Sequence, residues 1–360
     1  MNTVEKGRLL TLHSYSSDGI GGIETLIRSI QKVAFRLGLE SIEIYARSGI
    51  TNLFENETPQ AKKIKLQDFL GGGIKKRVFR YLLWRKEINN KINKNDIVVL
   101  FSVGSLLYFT RKKLSEANVI FVQTNKYEKI FNSLSKQVVF SLYRKYIDKV
   151  TVYTEYDKNK FSSIFNDIEV IPRGCKIETS GNVSEYTHKL VTIARIDEAQ
   201  KNLSEMIDIV SGLPESYELT IYGSGEKEEV ENLNKLIGGN KRIKFKGPIK
   251  EVKKALNENS VFLMTSHYEG FGQTLIEARS QGLPIVAYDT FEAAKWIIRH
   301  GLNGYLIEPY NKDLFREAIL KITKNENVFV QYSRNALSFA EETENEKVEA
   351  QWEKLIESYS

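Results

Sequence analysis

The sequence predicts an α/β protein with two domains and mostly parallel sheets. Strand-like runs alternate with helical patterns along almost the whole chain, as in sheets whose parallel strands are joined by helices. A length of 360 residues exceeds one typical core and indicates two domains of roughly 150–200 residues. The alternation is interrupted by the polar segment 175–188 and restarts at Lys189. We therefore expect two Rossmann-like domains in tandem, facing a central cleft.

The first predicted domain covers residues 1–178 and the second covers residues 188–335. Strands of the first are predicted at RLLTLH, SIEIYAR, DIVVLFS, NVIFVQT, KVTVYTE and IEVIPRG, with helices near 22–37, 74–93 and 129–147. Strands of the second are predicted at KLVTIAR, YELTIYG, IKFKG, VFLMTS, PIVAYD and GYLIE. Helices of the second are predicted near 201–211, 226–238, 273–281, 291–299 and 312–323, and a charged helical tail follows.

Composition excludes several classes of protein. Hydrophobic content of 41% and charged content of 27% are those of an ordinary globular protein. The single cysteine, Cys175, excludes an internal disulfide framework and is compatible with a reducing cytosol. No apolar run approaches the roughly 18 residues that span a bilayer, and the N-terminus lacks a signal-peptide layout. We expect a cytoplasmic protein.

Charge is distributed unevenly along the chain. Residues 1–180 contain 30 Lys and Arg against 18 Asp and Glu, whereas residues 181–360 contain 22 against 28. A basic first half and an acidic second half suggest different partners for the two halves. We expect no nucleic-acid partner.

Residues that follow the predicted strands are the first candidates for a site, because open parallel sheets bind ligands beyond the carboxyl ends of their strands. After the first strand, Gly21 and Gly22 precede a helix whose N-terminus suits a phosphate. In the second domain, Arg195 and Lys201 lie at a strand-to-helix junction, where two cations suit a diphosphate. A plain turn and solvated cations are the alternative readings.

The stretch HYEGFGQTLIEA, residues 267–278, carries the strongest pattern. Gly270 and Gly272 free the backbone ahead of a helix, with Glu269 in the loop and Glu277 in the first turns of the helix. An anion would lie on the amides of residues 271–275, with a carboxylate on each side to accept hydrogen bonds from hydroxyls. This layout fits a ligand with the order sugar, diphosphate, ribose. The alternative is a glycine turn followed by an ordinary helix.

The sequence SHYEGFGQTLIEARSQGLPIVAYD resembles the donor-site signature of the retaining glycosyltransferases of family 4, with its Glu-x7-Glu spacing. The resemblance extends to GIGGIE, ARIDEAQKN, YGSG and NGYLIEP, and so covers nearly the whole chain. It implies the GT-B fold, a C-terminal domain that holds a nucleotide sugar, and a last helix, about 340–360, that packs back on the N-terminal domain. A UDP-sugar is favoured over GDP-mannose as the donor of a hexose or N-acetylhexosamine.

The resemblance also implies roles for individual residues. Arg195 and Lys201 would neutralise the diphosphate, Glu277 would hold the ribose hydroxyls, and Glu269 would hold the sugar hydroxyls. Turns at Gly223 and Ile249 would border the base, and Gly21 and Gly22 would close onto the diphosphate. The residues expected to help hold sugar and phosphate through their amides are Gly270, Phe271, Gly272, Gln273, Thr274 and Leu275.

The acceptor side departs from the family pattern. Many members carry a His after the strand that here reads NVIFVQT, where this chain has Gln123. Gln can hydrogen-bond a sugar hydroxyl but cannot act as an acid or a base. This fits the mechanism usually proposed for the family, in which the donor phosphate takes the acceptor proton. His13, at the end of the first strand, is a second candidate for the acceptor side, or a buried, hydrogen-bonded histidine.

No Asp-x-Asp motif is visible, so we expect a metal-independent reaction with the nucleotide sugar as co-substrate and no further cofactor. The resemblance implies a glycan acceptor, such as a lipid-linked precursor of a surface polysaccharide or lipopolysaccharide. A catalytically weak GT-B partner subunit is the alternative. A Rossmann oxidoreductase is a weaker one, because its dinucleotide fingerprint is missing.

The basic stretch 71–94 indicates a location on a membrane. It contains eight Lys and Arg against one Glu, and an apolar helical side formed by Ile74, Val78, Leu82, Ile88 and Ile92. Basic amphipathic helices of this kind lie on anionic membrane surfaces. The residues 74–94 are therefore a candidate contact with the inner face of the plasma membrane. The alternative is a helix whose apolar side is buried in the domain core.

Overall fold

The computed structural model describes residues 7–19, 21–48, 61–67 and 73–360, except for the side chain of Ile74. The chain divides into two compact units. The first comprises Met1–Pro172 together with Glu346–Ser360, and the second comprises Arg173–Asn345. Each unit contains one parallel sheet with helices, which confirms the predicted α/β fold.

The sheet of the first unit has seven parallel strands in the order β3-β2-β1-β4-β5-β6-β7. The strands are β1 (Arg8–Tyr15), β2 (Glu40–Arg47), β3 (Lys62–Lys65), β4 (Ile97–Leu100), β5 (Asn118–Val122), β6 (Lys149–Val152) and β7 (Ile168–Val170). The helices are α1 (Gly22–Arg36), α2 (Ile74–Lys91), α3 (Arg111–Glu116), α4 (Tyr127–Ile130), α5 (Leu134–Tyr143) and α6 (Glu155–Phe161). Two 3₁₀ helices occupy Val103–Tyr108 and Arg144–Tyr146.

The central strands of this sheet are buried on both faces, as parallel strands between helices are. One cluster includes Leu9, Val99 and Ile120 of the sheet with apolar residues of α1 and of the C-terminal segment. The other includes Leu10 and Val98 with the 3₁₀ helix Val103–Tyr108 and with α5. A continuous apolar strand such as IVVL therefore indicates a strand that is buried on both faces of the sheet.

The sheet of the second unit has six parallel strands in the order β10-β9-β8-β11-β12-β13. The strands are β8 (Lys189–Ile193), β9 (Glu218–Tyr222), β10 (Ile243–Phe245), β11 (Val261–Met264), β12 (Ile285–Tyr288) and β13 (Gly304–Ile307). The helices are α7 (Glu198–Lys201), α8 (Leu203–Ser211), α9 (Lys227–Ile237), α10 (Val252–Asn257), α11 (Gln273–Ser280), α12 (Glu292–Ile297), α13 (Lys312–Ile322) and α14 (Glu326–Ala340). A 3₁₀ helix, Glu341–Thr343, follows α14, and the last helix, α15 (Asn345–Glu357), belongs to the first unit from Glu346 onward.

The polar segment 175–188, which interrupts the alternation of strands and helices in the sequence, is held on the second unit. The backbone N–H of Cys175 donates to Thr343 O at 2.7 Å, and that of Ser180 donates to Ser280 O at 2.7 Å. The Ser184 N–H donates to Ser333 Oγ at 2.9 Å. The segment lacks apolar periodicity because hydrogen bonds, rather than a hydrophobic face, fix it in place.

Several elements of the first unit differ from the sequence-based prediction, including α3 and α6, which lie where no helix was predicted. The edge strand β3 has the sequence KKIK, in which three lysines hide the strand pattern while keeping the sheet edge charged. The single helix expected over 129–147 is divided into α4, α5 and a 3₁₀ turn. Ser133 caps α5 by accepting a hydrogen bond from Lys136 N, which starts a new helix at Leu134.

The basic helix α2 is exposed along its first half and contributes a buried residue to the core only near its end. Ile88 and Ile92 lie in the core, whereas Val78 and Leu82 are exposed. The predicted apolar side therefore does not face the core along its whole length. Residues 71 and 72 of the basic stretch and the side chain of Ile74 lie outside the described residues. No helix within the described ranges is long and apolar enough to cross a membrane.

Candidate functional site

The carboxyl ends of β8 and β11 bring together two of the predicted site residues. Lys201 ends α7, and its Nζ lies 2.5 Å from Oε1 of Glu269, in the loop after β11. Both side chains are largely buried, at 14% and 11% exposed. A paired cation and carboxylate are therefore held beside each other at the edge of the sheet where parallel sheets bind ligands.

Arg195 belongs to the same cluster through a residue that the sequence patterns missed. Arg195 Nη2 donates to Asp197 Oδ2 at 2.8 Å and to Gln200 Oε1 at 2.6 Å. The Gln200 amide donates in turn to Tyr268 O at 3.2 Å and faces Glu269 Oε2 at 3.4 Å. Gln200 thus connects the exposed Arg195 to Glu269, and only its position between Arg195 and Lys201 hinted at such a role.

The backbone around Lys201 is fixed by the neighbouring strand end. Asn202, in the left-handed region at φ 51°, separates α7 from α8. The Thr265 hydroxyl donates to the carbonyl oxygens of Lys201 and Asn202 at 3.1 and 2.9 Å. The His267 N–H donates to Gln200 O at 2.8 Å. These bonds tie the helix that carries Lys201 to the loop that carries Glu269.

The glycine-rich turn places the start of α11 next to this cluster in sequence and structure. Gly272 caps α11 at φ 87°, and a Cβ there would lie 3.0 Å from Leu275 and 3.1 Å from Phe291. Phe271 and Leu275 are buried, Gly270 and Thr274 are half-buried, and the Gln273 amide donates to Gly174 O at 3.0 Å. Glycine is required at this turn because of both conformation and space.

Glu277 lies on α11 and does not join the Lys201 cluster. Burial raises the pKa of the Glu277 carboxyl to about 7, although the nearby Lys176 cation and a hydrogen bond with Gln273 favour its charged form. A buried carboxyl with a raised pKa is typical of a functional site. It is able to accept hydrogen bonds from hydroxyl groups once it is ionised.

The turns expected near a base lie beside the Arg195 loop. A Cβ on Gly223 would lie 1.7 Å from Ala194 O, so the ends of β8 and β9 touch through their backbones. The Gly223 N–H donates to Gly247 O at 2.9 Å, which joins this turn to the one that contains Ile249. Ile249 itself is half-buried.

In the first unit, the predicted glycines and His13 surround Glu24. His13 Nε2 lies 3.8 Å from Glu24 Oε1, and the His13 ring packs edge-on against Phe101. Burial opposes ionisation of Glu24, but hydrogen bonds from His13 and the backbone, together with the nearby His13 and Arg28 side chains, outweigh burial and lower the pKa of Glu24. A Cβ on Gly21 would lie 2.1 Å from Glu24 Oε2, whereas Gly22 is exposed. The glycine at 21 therefore leaves room for a carboxylate at the start of α1.

Gln123 differs from its predicted place on the acceptor side. The side chain is fully buried, and its amide donates to Asp157 Oδ1 at 2.7 Å and to Asn125 O at 3.2 Å. Its oxygen accepts from Tyr153 N at 3.0 Å. Gln123 thus supports the loop after β5 and presents no surface to an acceptor in this structure.

Arg195, Lys201 and Glu269 therefore form one cluster, and Gly223 adjoins it through Ala194. Glu277 stands apart on α11, and Gly21, Gly22, His13 and Gln123 belong to the first unit. Within the described ranges, no group of three or more His, Cys, Asp or Glu side chains is arranged to hold a metal ion.

Comparison with known proteins relates the second unit to glycosyltransferases. The family described as "Glycosyl transferases group 1" matches residues 177–339, which lie in the second unit. The poly(glycerol-phosphate) alpha-glucosyltransferase of Bacillus subtilis is 34% identical over 167 residues, covering 44% of this chain and 24% of that protein. The lipopolysaccharide 1,6-galactosyltransferase of Salmonella typhimurium is 26% identical over 317 residues, covering 81% of this chain and 83% of that protein.

The fold is also that of known glycosyltransferases. The pneumococcal O-GlcNAc transferase GtfA, solved in complex with UDP and GlcNAc, superposes with a TM-score of 0.75 at 15% identity. The alignment covers 99% of each chain. This chain spans about a quarter of the Bacillus relative, so the matched segment is only part of that longer protein. The second unit therefore matches the group 1 glycosyltransferase family, and the fold of the chain is the GT-B fold of glycosyltransferases.

Proposed function

We propose that this protein is a retaining glycosyltransferase of family 4, which transfers a hexose or N-acetylhexosamine from a nucleotide sugar to a glycan acceptor. The observation that carries the proposal is the cluster of Arg195, Gln200, Lys201 and Glu269 at the strand ends of the second unit. Cations and a carboxylate at one strand edge suit a ligand that has both a diphosphate and hydroxyl groups.

Lys201 and Arg195 neutralise the charge that develops on the leaving diphosphate. Lys201 Nζ is held by Glu269 in the described structure, so binding of the donor exchanges this partner for phosphate oxygens. Arg195 is exposed and able to place two N–H groups on neighbouring phosphate oxygens. Such preorganised cations stabilise a departing anion without reorganisation at the moment of reaction.

Glu269 and Glu277 accept hydrogen bonds from opposite ends of the donor. Release of Lys201 frees the Glu269 carboxylate for the sugar hydroxyls, while Glu277 binds the ribose hydroxyls. The turns at Gly223 and Ile249 border the base, and the amides at the start of α11 support sugar and phosphate. The contribution of Gly21 and Gly22 to diphosphate binding remains a prediction.

The reaction needs no protein base. The C1–O bond to the diphosphate breaks, and C1 forms a bond with the acceptor oxygen on the same face. The acceptor proton moves to a donor phosphate oxygen, and the nucleoside diphosphate departs with the electron pair of the broken bond. The engagement of Gln123 within its own unit is consistent with this route. We propose that the reaction is metal-independent.

The donor is a UDP-sugar and the acceptor is a lipid-linked surface-polysaccharide precursor or a lipopolysaccharide. The UDP in the GtfA structure supports the choice of base, and the acceptors named for the Bacillus and Salmonella relatives support a surface glycan. The enzyme works in the cytoplasm, at the inner face of the plasma membrane, with the exposed basic half of α2 in contact with anionic lipid.

A donor panel tests the proposal. The purified chain is incubated with UDP- and GDP-sugars and surface-glycan acceptors, and released nucleotide and product configuration are measured. We expect release of UDP, a product anomer with the configuration of the donor, and activity in excess EDTA. A product of inverted configuration would contradict the retaining mechanism, and transfer only from GDP-sugars would contradict the choice of donor. A strict metal requirement would contradict the metal-independent reaction.

Calorimetry with free UDP distinguishes the roles of Glu269 and Glu277. We expect Glu277→Ala to weaken UDP binding, and Glu269→Ala to leave it close to that of the wild type while harming transfer of the sugar. Equal loss of UDP affinity in both variants would show that the assigned orientation of the donor is wrong.

A further inference from the structure

Two helices of the first unit carry unusually exposed apolar side chains. In α2 these are Val78, Phe79 and Leu82, and in α5 they are Leu134, Val138 and Leu142. Each of the six is between 50% and 79% exposed. The three residues of α5 follow one another at a spacing of four, so they form one stripe along the helix. Contiguous exposed apolar surface usually marks an interaction site.

The opposite sides of both helices are anchored on the same element, the 3₁₀ helix Val103–Tyr108. From α2, Tyr81 donates to Leu107 O at 3.1 Å, and the Trp84 ring lies 5.3 Å from that of Tyr108. From α5, Phe140 lies in the buried cluster that also contains Val103 and Leu106. The two helices therefore flank one element, while Val78 and Leu82 of α2 and the stripe of α5 are exposed to solvent.

The charge around these stripes is almost entirely positive. Helix α2 carries seven Lys and Arg against one Glu, and residues 134–146 carry three against none. Lys75, Lys76 and Arg77 of α2 are exposed, as are Arg144 and Lys145 after α5. Aliphatic side chains surrounded by long cationic ones match the boundary between acyl chains and anionic headgroups.

We propose that α2 and α5 together form a docking surface for an anionic lipid bilayer, in which the Leu134–Val138–Leu142 stripe inserts and the lysines and arginines bind headgroups. This inference deepens the proposed function and rests on it, because a membrane-bound acceptor requires the enzyme at the lipid surface. It adds α5, which the sequence did not indicate, as the apolar part of the contact.

A second copy of this chain is a poorer occupant of the surface. A two-fold dimer places the same patch against itself. Ten cations and one acid on these two segments would then face each other with like charge. An anionic lipid surface instead complements this charge and accepts apolar side chains without requiring a shaped partner.

Co-sedimentation with vesicles tests the proposal. The full chain is mixed with vesicles of phosphatidylglycerol and phosphatidylcholine, or of phosphatidylcholine alone, at low and high salt. The test variant is Leu134→Ser, Val138→Ser and Leu142→Ser combined, and the matched control changes the exposed Leu236, Leu302 and Leu320 of the second unit to Ser. The single variant Leu134→Ser serves if the triple variant fails to fold.

We expect binding of the wild type to anionic vesicles only, with reduction by high salt, and at least a roughly tenfold loss for the α5 triple variant. The control triple variant should bind as the wild type does. Failure of the wild type to bind anionic vesicles, or unchanged binding of the α5 variant, would overturn the proposal. Concentration-dependent self-association that the α5 variant abolishes would assign the surface to a protein partner and overturn it as well.

Turnover with a lipid-free acceptor separates this inference from the proposed function. The α5 variant should release UDP from a UDP-sugar with a water-soluble glycan acceptor as fast as the wild type. Loss of vesicle binding with intact turnover supports the docking surface. Absence of transfer by the wild type with every acceptor would contradict the proposed function, while the vesicle measurement still reports on the surface.

Discussion

Lys201 and Glu269 form a salt bridge with each other in the described structure. A charge pair that is largely buried is costly to break by removal of one partner, because the remaining charge is left unpaired. The same pair is easily exchanged when a ligand supplies both an anion for the cation and hydroxyl groups for the carboxylate. In the proposed function, this pairing keeps the cluster assembled until the donor binds.

Arg195 and Lys201 together form the proposed diphosphate clamp, and loss of either cation should greatly reduce turnover. Lys201→Ala and Arg195→Ala should each lower kcat/KM by roughly 30- to 1,000-fold, equivalent to about 2–4 kcal/mol of lost stabilisation of the leaving anion. Lys312→Ala is the control, because Lys312 is an exposed cation of the same unit, paired with Asp208. Steady-state release of UDP measures the effect, and wild-type turnover in both variants would refute the clamp.

Glu277 predicts a pH dependence of stability. Its pKa is raised to about 7 by burial, from an ordinary value of 4.5 when exposed. Below about pH 4.5 Glu277 is neutral in both the folded and the unfolded state, so it does not lower the stability of the wild type. As the pH rises to about 7, the free energy of unfolding falls by up to about 3 kcal/mol, because the buried carboxyl resists ionisation. Glu277→Gln should remove this loss.

Denaturant unfolding of both proteins from pH 4.5 to 8 measures this difference. Glu277→Gln should gain stability relative to the wild type as the pH rises, and the gain should level off above about pH 7. A constant difference across the range would mean that Glu277 is ionised throughout. UDP binding by the variant should be weaker above about pH 7, where the wild-type carboxyl is ionised, because an amide cannot replace a carboxylate as acceptor for two hydroxyls.

At the scale of elements, backbone contacts between the turns after β8 and β9 form the backbone frame of the candidate site. Gly223 approaches Ala194 so closely that the two turns form a continuous surface beside Arg195. The Ile196 N–H extends this contact by donating to Ser224 O at 2.8 Å. Gly223 thus determines the distance between the turn after β9 and the loop that contains Arg195.

Gly223→Ala should displace this frame. The new Cβ would meet the Ala194 carbonyl oxygen, a backbone atom that is unable to move independently of the Arg195 loop. We expect destabilisation by about 1–3 kcal/mol and weaker UDP binding. Gly239→Ala is the control, since a Cβ there would meet nothing within 4 Å. Thermal unfolding and calorimetry would detect the difference, and equal behaviour of the two variants would argue against the frame.

At the scale of the whole molecule, the chain ends in the unit in which it began. Helix α15 places Trp352 and Val348 in the core formed by α1 and the central strands of the first unit. Glu349, which is buried, accepts hydrogen bonds from Lys32 Nζ at 3.0 Å and Arg36 Nη1 at 2.6 Å. The stability of the first unit therefore depends on residues more than 300 positions away in sequence.

Trp352→Ala should destabilise the first unit by about 3–5 kcal/mol, because it removes a large side chain that is 1% exposed. Hydrogen exchange should accelerate in β1 and β4 more than in β8 and β11. Glu357→Ala, an exposed change in the same helix, is the control. Equal acceleration in both sheets would show that the two units unfold together.

Much of the fold follows from local patterns. The apolar runs at β1, β4, β8 and β11 and the helical periodicity at α1 and α13 are properties of short segments, and they predicted strands and helices within a few residues. Where charge replaced apolar residues, as in β3, the pattern failed although the backbone still joined the sheet. Edge strands need less burial, and so their sequences carry less of the signal.

The candidate site divides in the same way. The sequence shows Arg195 six positions before Lys201 and Glu269 eight positions before Glu277. Because Arg195, Lys201 and Glu269 all follow predicted parallel strands, they were expected at the carboxyl ends of those strands. The link through Gln200, the burial of Glu277 and the inward engagement of Gln123 depend on which side chains the neighbouring elements present. Such contacts join residues far apart in sequence.

The sequence by itself determined the fold class and the strand ends that carry the candidate site, because backbone propensity and strand-end position are encoded locally. The tertiary structure alone decided that residues 175–188 belong to the second unit, and that Val78 and Leu82 are exposed while Ile88 is buried. An amphipathic pattern states that one side is apolar. What that side touches depends on the packing of the rest of the chain, because burial is a property of the assembled core and not of the helix.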